Sequence, residues 1–144
     1  MTNLLELLSD FPEAEYAAGE TLIEEGQPFE GLFVLKDGEV EVSREGVGIC
    51  KISRAGSTFG EMSALLDELP SASVRATRNS KVVVVENALE FLRENSAAAL
   101  DIARLLAYRV NWVTMNFAHA KAAPSPEEVR AAMSDSFAKR IFEY

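Results

Sequence analysis

The chain has 144 residues, of which 48% are hydrophobic and 26% charged, and its net charge is −9. These values are typical of one globular domain with a proper core, and they exclude a largely disordered chain. The acidic excess argues against a nucleic-acid-binding protein, because such proteins neutralise phosphates with Lys and Arg. With Cys50 as the single cysteine and His119 as the single histidine, neither an intrachain disulfide nor a Cys/His metal site is expected.

The beginning of the chain is predicted to form a short amphipathic helix over about residues 3–10. Apolar side chains recur there at helical spacing, at Leu4, Leu5, Leu7, Leu8 and Phe11. Pro12 then stops the pattern, because proline disfavours a helix interior. The first residues include neither a basic region nor a long apolar segment, so we expect a cytoplasmic protein.

Short extended segments separated by glycine follow. The first predicted strand contains Tyr16. The others cover residues 21–23, 32–36, 39–44, 49–53, 72–76 and 81–86. Val40 and Val42 alternate with polar residues, which is typical of a strand with one face in water. The four β-branched residues at 82–85 favour a strand covered on both faces. Cys50 is expected to be a small buried residue. Regularly spaced short strands indicate a closed or double-sheet β structure rather than βαβ units.

The chain becomes helical after Glu86. Asn87 is a plausible N-cap for a helix over residues 88–94, and Ser96 for a longer helix that ends at about Phe117. The long helix carries two apolar stripes, which are Ile102, Leu106, Val110, Val113 and Phe117, and Leu105, Tyr108, Trp112 and Met115. One stripe is expected to pack on the β structure. The other has heptad-like spacing and needs a partner, either a second copy or the tail folded back.

The last part of the chain is predicted to be a separate helical tail, residues 118–144, after a domain that covers residues 1–117. Ser125 and Glu128 fit a capping box for a final helix over residues 126–134. Four Lys or Arg residues after Phe117 are balanced by four Asp or Glu residues, so the tail has no basic surface.

Residues 59–77 carry the most specific motif of the sequence. They read Phe-Gly-Glu-Met-Ser-Ala-Leu-Leu-Asp-Glu-Leu-Pro-Ser-Ala-Ser-Val-Arg-Ala-Thr. This stretch resembles the phosphate-binding cassette of cyclic nucleotide-binding domains, in which an aromatic-Gly-Glu turn opens a short helix and a strand follows. Glycine-marked turns elsewhere agree with this resemblance, among them Asp37-Gly38, which is a strong two-residue turn signal in its own right. The resemblance covers roughly residues 14–117.

The resemblance implies an α+β fold. It consists of a β-roll, a double-stranded jelly roll of about eight short antiparallel strands, with a short N-terminal helix, a cassette helix and C-terminal helices. It also implies a ligand site for cAMP or cGMP at Gly60, Glu61, Met62, Ser63, Pro70, Ser71, Ala72 and Ser73. Glu61 would accept a hydrogen bond from the ribose 2′-hydroxyl, and Asn111 and Thr114 would face the base. The stripe formed by Leu105, Tyr108, Trp112 and Met115 would pair with its copy in a homodimer.

The family arginine that binds the cyclic phosphate has no counterpart in this cassette. Its position holds Pro70 in one alignment and Ser71 in the other. Arg75 is the nearest cation in sequence, but strand alternation directs it outward if Ala72 and Val74 point into the roll. Arg78, in the next turn, is expected to be a solvated surface residue. This departure from the family's cassette pattern predicts weak, altered or absent nucleotide binding.

Two functions follow from this sequence. The first is a non-enzymatic regulatory domain that binds a small anionic ligand and transmits binding through its C-terminal helices. The second is a protein-interaction or dimerisation module that has kept the fold without the nucleotide, in which Phe59-Gly60-Glu61 is only a structural turn. The sequence offers no nucleophile–base arrangement, so we expect no enzyme, no metal and no cofactor beyond a possible nucleotide ligand. The family's transcription factors continue into a helix-turn-helix domain, which the tail does not match.

Overall fold

The structure, a computed structural model, describes residues 4–120, with side chains as far as Asn116. In chain order its elements are α1 (Leu4–Leu7), β1 (Glu13–Tyr16), β2 (Thr21–Ile23), β3 (Leu32–Asp37), β4 (Val40–Arg44), β5 (Val47–Ile52), β6 (Thr58–Phe59), α2 (Glu61–Leu66), β7 (Ser73–Ala76), β8 (Ser80–Val85), α3 (Ala88–Glu94) and α4 (Ser96–Ala120).

The eight strands form two four-stranded sheets, with the orders β1-β8-β3-β6 and β2-β7-β4-β5. All the strand pairs are antiparallel. The two late strands, β7 and β8, therefore lie between earlier strands, one in each sheet. This arrangement confirms the expected β-roll with flanking helices.

The core between the sheets is built from the apolar side chains that strand alternation points inward. Its buried members come from both sheets and are Ile23, Phe33, Leu35, Val40, Phe59, Val74 and Val82. Removing such a side chain from water contributes roughly 1.5–3 kcal/mol before the cost in chain entropy. Val82, Val83 and Val85 are all at most 3% exposed, which confirms that β8 is covered on both faces.

The structure corrects the sequence predictions at several points. The first helix is only four residues long, and the two-residue strand β6 was not predicted. Cys50 is exposed, so its predicted burial is wrong. The reason is its position on β5, an edge strand on which Val47 and Ile49 are also more than half exposed. Periodicity reveals a strand but not whether a second layer covers it.

The helices after α1 agree with the sequence analysis, which predicted a short cassette helix and a helix over residues 88–94. Helix α2 covers Glu61–Leu66 and α3 covers Ala88–Glu94, with the Asn87 side chain accepting a hydrogen bond from the Glu90 N–H at 3.1 Å. Helix α4 continues to Ala120, three residues past the predicted end.

The chain divides into two units. The first ends at Leu105 and contains the eight strands, α1 to α3 and the start of α4. The second begins at Leu106 and is described as the remainder of α4, as far as Ala120. The predicted division at residue 117 stays a prediction, and the predicted helix over residues 126–134 lies outside the described residues.

Candidate functional site

The cassette begins where β6 ends. Gly60 has φ +89° and ψ −9°, a left-handed conformation that L side chains rarely adopt, and it caps α2 without a side-chain hydrogen bond. A methyl group on its Cα would lie 2.6 Å from Phe29 Cε1 and 2.7 Å from Ile23 Cδ1. Both the conformation and the packing at this position therefore require glycine, as the motif implied.

Glu61 is the first residue of α2, and it is 1% exposed. A carboxylate is rarely buried to this extent, because removing its charge from water is costly unless other groups compensate. Its place in the first helical turn supplies part of the compensation, since the unpaired N–H groups there carry a partial positive charge. Glu61 is therefore not a solvated surface residue. Whether it accepts a ribose hydroxyl stays a prediction.

The serine of the cassette helix is already engaged with the protein. Ser63 is buried, and its Oγ lies 3.0 Å from the carbonyl oxygen of Phe29 and 3.2 Å from that of Gly60, to which it donates. It ties the start of the cassette to the loop between β2 and β3. The neighbouring Met62 is 37% exposed.

The cassette ends in a segment held by the same loop. Pro70 is buried, and its carbonyl oxygen accepts a hydrogen bond of 2.9 Å from the Gly26 N–H. The Ser73 Oγ accepts one of 3.0 Å from the Glu25 N–H. Ser71, by contrast, is exposed. Because a hydroxyl that accepts one hydrogen bond keeps its own proton, Ser73 can still donate to an anion.

Arg75, near the end of the cassette, and Arg78, in the turn that follows it, both lie on the surface. Arg75 is exposed on β7, while its neighbours Val74 and Ala76 are buried, so the predicted alternation is confirmed. Arg78 is exposed and donates to the Gly38 carbonyl oxygen at 3.2 Å.

A pocket of about 670 Å³ lies next to the cassette helix, between its C-terminal end, α3 and residues 28–30. It is lined by Pro28, Phe29, Glu30, Ser63, Ala64, Asp67, Glu68, Leu69, Asn87, Leu89, Glu90, Arg93 and Glu94. Of the predicted ligand residues, Ser63 is among these. Five carboxylates against one arginine make this pocket unfavourable for a cyclic phosphate.

The predicted base contacts lie on the part of α4 that belongs to the second unit. Asn111 and Thr114 are both exposed, and the Thr114 hydroxyl donates to the Val110 carbonyl oxygen at 2.9 Å. On the same helix Tyr108, Trp112 and Met115 are 68%, 62% and 52% exposed, whereas Leu105 is half-buried. The roles of these residues in base recognition and dimerisation stay predictions.

Sequence reasoning missed the loop between β2 and β3, residues 24–31. Its backbone bonds both ends of the cassette, and its Phe29 ring packs beside Gly60. The only signal in the sequence was an aromatic residue in a Gly- and Pro-containing loop, which by itself does not place the ring.

No group of His, Cys, Asp or Glu side chains suited to a metal ion is found among residues 4–120. Over the same residues, no helix combines the length and the apolarity that spanning a membrane requires.

Comparison with known proteins agrees with this geometry. The sequence profile of the family described as "Cyclic nucleotide-binding domain" matches residues 13–95, more than half of the chain. The chain is 36% identical over 86 residues to a cGMP-dependent protein kinase, egl-4, of Caenorhabditis briggsae. It is 41% identical over 80 residues to a cAMP-dependent protein kinase regulatory subunit of Eremothecium gossypii. These matches cover 60% and 54% of the chain but only 11% and 17% of the two relatives.

Solved structures share the fold. The catabolite activator protein of Thermus thermophilus superposes with a TM-score of 0.67 at 23% identity, over 82% of this chain and 58% of that one. A cyclic nucleotide-binding domain from Methylobacillus flagellatus gives 0.69 at 24% identity, over 85% and 74%. The chain thus belongs to the cyclic nucleotide-binding domain family.

Proposed function

We propose that the chain is a non-enzymatic regulatory domain of a cytoplasmic protein and binds a small anionic ligand, with cAMP and cGMP as the first candidates. The ligand would lie against the cassette, at Gly60, Glu61, Met62, Ser63, Pro70, Ser71, Ala72 and Ser73. Binding would be transmitted to the helices that follow Asn87.

The family match over residues 13–95, with an intact start of the cassette, carries this proposal. The backbone at Gly60 lies close to the Phe29 and Ile23 side chains, and the Glu61 side chain is held almost wholly out of water. The two relatives are named as a cGMP-dependent protein kinase and as a regulatory subunit of a cAMP-dependent one, which supports a cyclic nucleotide as the ligand class.

The absent arginine sets the expected affinity. A hydrogen bond to a charged group contributes roughly 1.5–3 kcal/mol, and a bidentate guanidinium–phosphate contact lies at the upper end. Its loss corresponds to an affinity roughly 10- to 150-fold weaker. The Ser73 hydroxyl and backbone N–H groups are neutral donors, so they compensate only in part.

The proposal is tested by titrating the protein with cAMP and cGMP in a calorimeter, together with Ser71→Arg. Ser71 is exposed, so the longer side chain finds room there, whereas Pro70 is buried. We expect weak binding to the native chain and, in the variant, affinity that is roughly 10- to 150-fold tighter. Ser53→Arg adds the same charge at an exposed position outside the cassette and serves as the control. The absence of binding at millimolar nucleotide in both the native chain and Ser71→Arg would overturn the nucleotide function.

The second candidate function is a protein-interaction or dimerisation module, and one observation favours it. Tyr108, Trp112 and Met115 share a helical face and are each more than half exposed. Large apolar side chains grouped in this way mark interaction sites more often than isolated ones do. This candidate predicts that Trp112→Ala or Met115→Ala abolishes self-association while Glu61→Ala has no functional effect.

A further inference from the structure

The Phe29 ring packs close to two glycines. Its Cε1 would lie 2.6 Å from a methyl group at Gly60, the residue that opens the cassette helix. Its Cζ, the next atom of the ring, would lie 3.3 Å from a methyl group at Gly31. A third contact fixes the orientation of the ring. The Phe29 ring stacks on Phe33, with centroids 5.1 Å apart and an interplanar angle of 21°.

Gly31 in turn lies against the entrance to α3. A methyl group at Gly31 would be 2.4 Å from the Val85 carbonyl oxygen and 3.2 Å from that of Glu86. The next contact is a hydrogen bond of 3.0 Å from the Ala88 N–H, at the first residue of α3, to the Glu30 carbonyl oxygen. Ala88 is fully buried, so water does not compete for this bond.

These contacts form a continuous path of closely packed groups, with no room for a methyl group at either glycine. It runs from Gly60 through the Phe29 ring to Gly31 and then to the backbone at the start of α3. Close-packed groups transmit a displacement because they have no void into which to relax. Any movement of the cassette at Gly60 that approaches the ring must therefore move the ring, the loop or both.

We propose that Phe29 is the positioning residue that couples the conformation of the cassette to the start of α3. The coupling itself is a property of the protein alone. Its use as the route by which a bound ligand acts on α3 rests on the proposed function. An aromatic ring is suited to this role because it is flat, stiff and wide enough to touch both glycines while it stacks on Phe33.

The test uses hydrogen exchange of the full chain, read at the Ala88 amide relative to the Val83 amide in the centre of β8. Global unfolding changes the two amides alike, so their ratio isolates the start of α3. Gly60→Ala places a methyl group against Phe29 and displaces the cassette. We expect exchange at Ala88 to become about tenfold faster relative to Val83, a change that overpacking of this size supplies.

Two further variants make the result specific to Phe29. Gly46→Ala introduces a side chain at a similar φ of +79°, but with nothing within 4 Å, and should leave the ratio unchanged. Phe29→Ala removes the ring through which the displacement passes and leaves only the contact with Ile23, so adding Gly60→Ala to it should change the ratio at most twofold. If Phe29→Ala does not fold, Phe29→Leu replaces it, because leucine keeps apolar volume but loses the flat contact.

The outcomes separate this inference from the nucleotide function. An effect of Gly60→Ala on Ala88 no larger than that of Gly46→Ala, or one that persists undiminished without Phe29, overturns the coupling whatever the ligand. If cAMP or cGMP binds, it should change the Ala88 ratio in the native chain and leave it unchanged in Phe29→Ala. A nucleotide effect on Ala88 that survives in Phe29→Ala also overturns the inference. Absence of nucleotide binding counts only against the proposed function, since the first comparison needs no ligand.

Discussion

Gly38 shows how closely single residues are fitted in this β-roll. It forms the turn between β3 and β4 with φ +106°, and a methyl group there would lie 2.3 Å from Ser80 Oγ and 2.6 Å from Ser80 Cα. The Ser80 hydroxyl is itself fixed, because it accepts from the Glu39 N–H and donates to the Arg78 carbonyl oxygen. The Asp-Gly signal predicted the turn, but only the structure shows that Ser80 also requires glycine at this position.

We therefore expect Gly38→Ala to be more destabilising than Gly46→Ala. Both substitutions place a side chain in the left-handed region, at a cost of about 1–2 kcal/mol. Only the first also overpacks, which adds about 1–3 kcal/mol. Urea denaturation of the two variants measures the difference, and equal losses of unfolding free energy would contradict it.

Glu61 provides a prediction about the ligand. Glu61→Gln keeps the shape of the side chain and removes its charge, so the predicted hydrogen bond from the ribose becomes weaker. We expect affinity for cyclic nucleotide to fall by roughly tenfold or more. Calorimetry measures the loss in the Ser71→Arg background, where binding is expected to be tight enough to quantify. Glu20→Gln, at an exposed position, should bind as the parent does.

At the level of elements, the turn and capping signals located α2 and α3, whereas apolar periodicity placed the end of α1 three residues too late. Local chemistry determines where these two helices begin. Gly60 precedes α2, and the Asn87 side chain caps the start of α3. Strand β6 has two residues and therefore no alternation to detect; its pairing with β3 positions it. The exposure of Cys50 likewise depends on β5 being an edge, which is a property of the sheet and not of the segment.

An ion pair joins β1 to β3 across the intervening strand β8. The Lys36 Nζ donates to the Glu13 carboxylate, and this hydrogen bond is the main reason that the pKa of Glu13 lies below its ordinary value of 4.5. A carboxyl group with a lowered pKa in the folded state stabilises the protein above its unfolded pKa. The stabilisation is lost as the pH falls through the folded pKa.

Lys36→Met should therefore destabilise the protein slightly near pH 7 and have less effect as the pH falls below about 4.5. Thermal denaturation between pH 7 and pH 3 checks the trend. Arg54→Met, which removes an exposed cation from the loop after β5, is the control and should show no such convergence. If the destabilisation caused by Lys36→Met grew as the pH fell, the ion pair with Glu13 would not be the cause.

Helix α4 carries the prediction about assembly. Trp112→Ala and Met115→Ala remove exposed apolar surface from one face, so we expect either to shift a dimer toward monomer. Sedimentation velocity at several protein concentrations measures the shift. Thr114→Ala, about 120° around the same helix from that face, should leave the association constant unchanged. A native chain that is monomeric at all concentrations would remove the dimer interpretation.

For the whole molecule, the sequence predicted the fold better than the site. Glycine turns, short strands and the cassette motif all depend on local chemistry, and the family resemblance that they carry implied the β-roll. The Phe29 contacts depend on a loop whose path is set by distant partners, Pro70, Ser73 and Ala88, so no pattern within residues 24–31 could reveal them. The absence of the cassette arginine stays a prediction from the sequence, and calorimetry with Ser71→Arg measures its effect on binding.

The strand order has a consequence for the order in which the protein can fold. Strand β8 lies between β1 and β3, and β7 lies between β2 and β4, so neither sheet has its centre until residues 73–85 are available. Of the six earlier strands of a chain emerging from the ribosome, only β3 with β6 and β4 with β5 can therefore form their native pairings. Folding of the β-roll must wait for Val85, and the cassette, which includes the closing strand β7, takes its shape in the same late step.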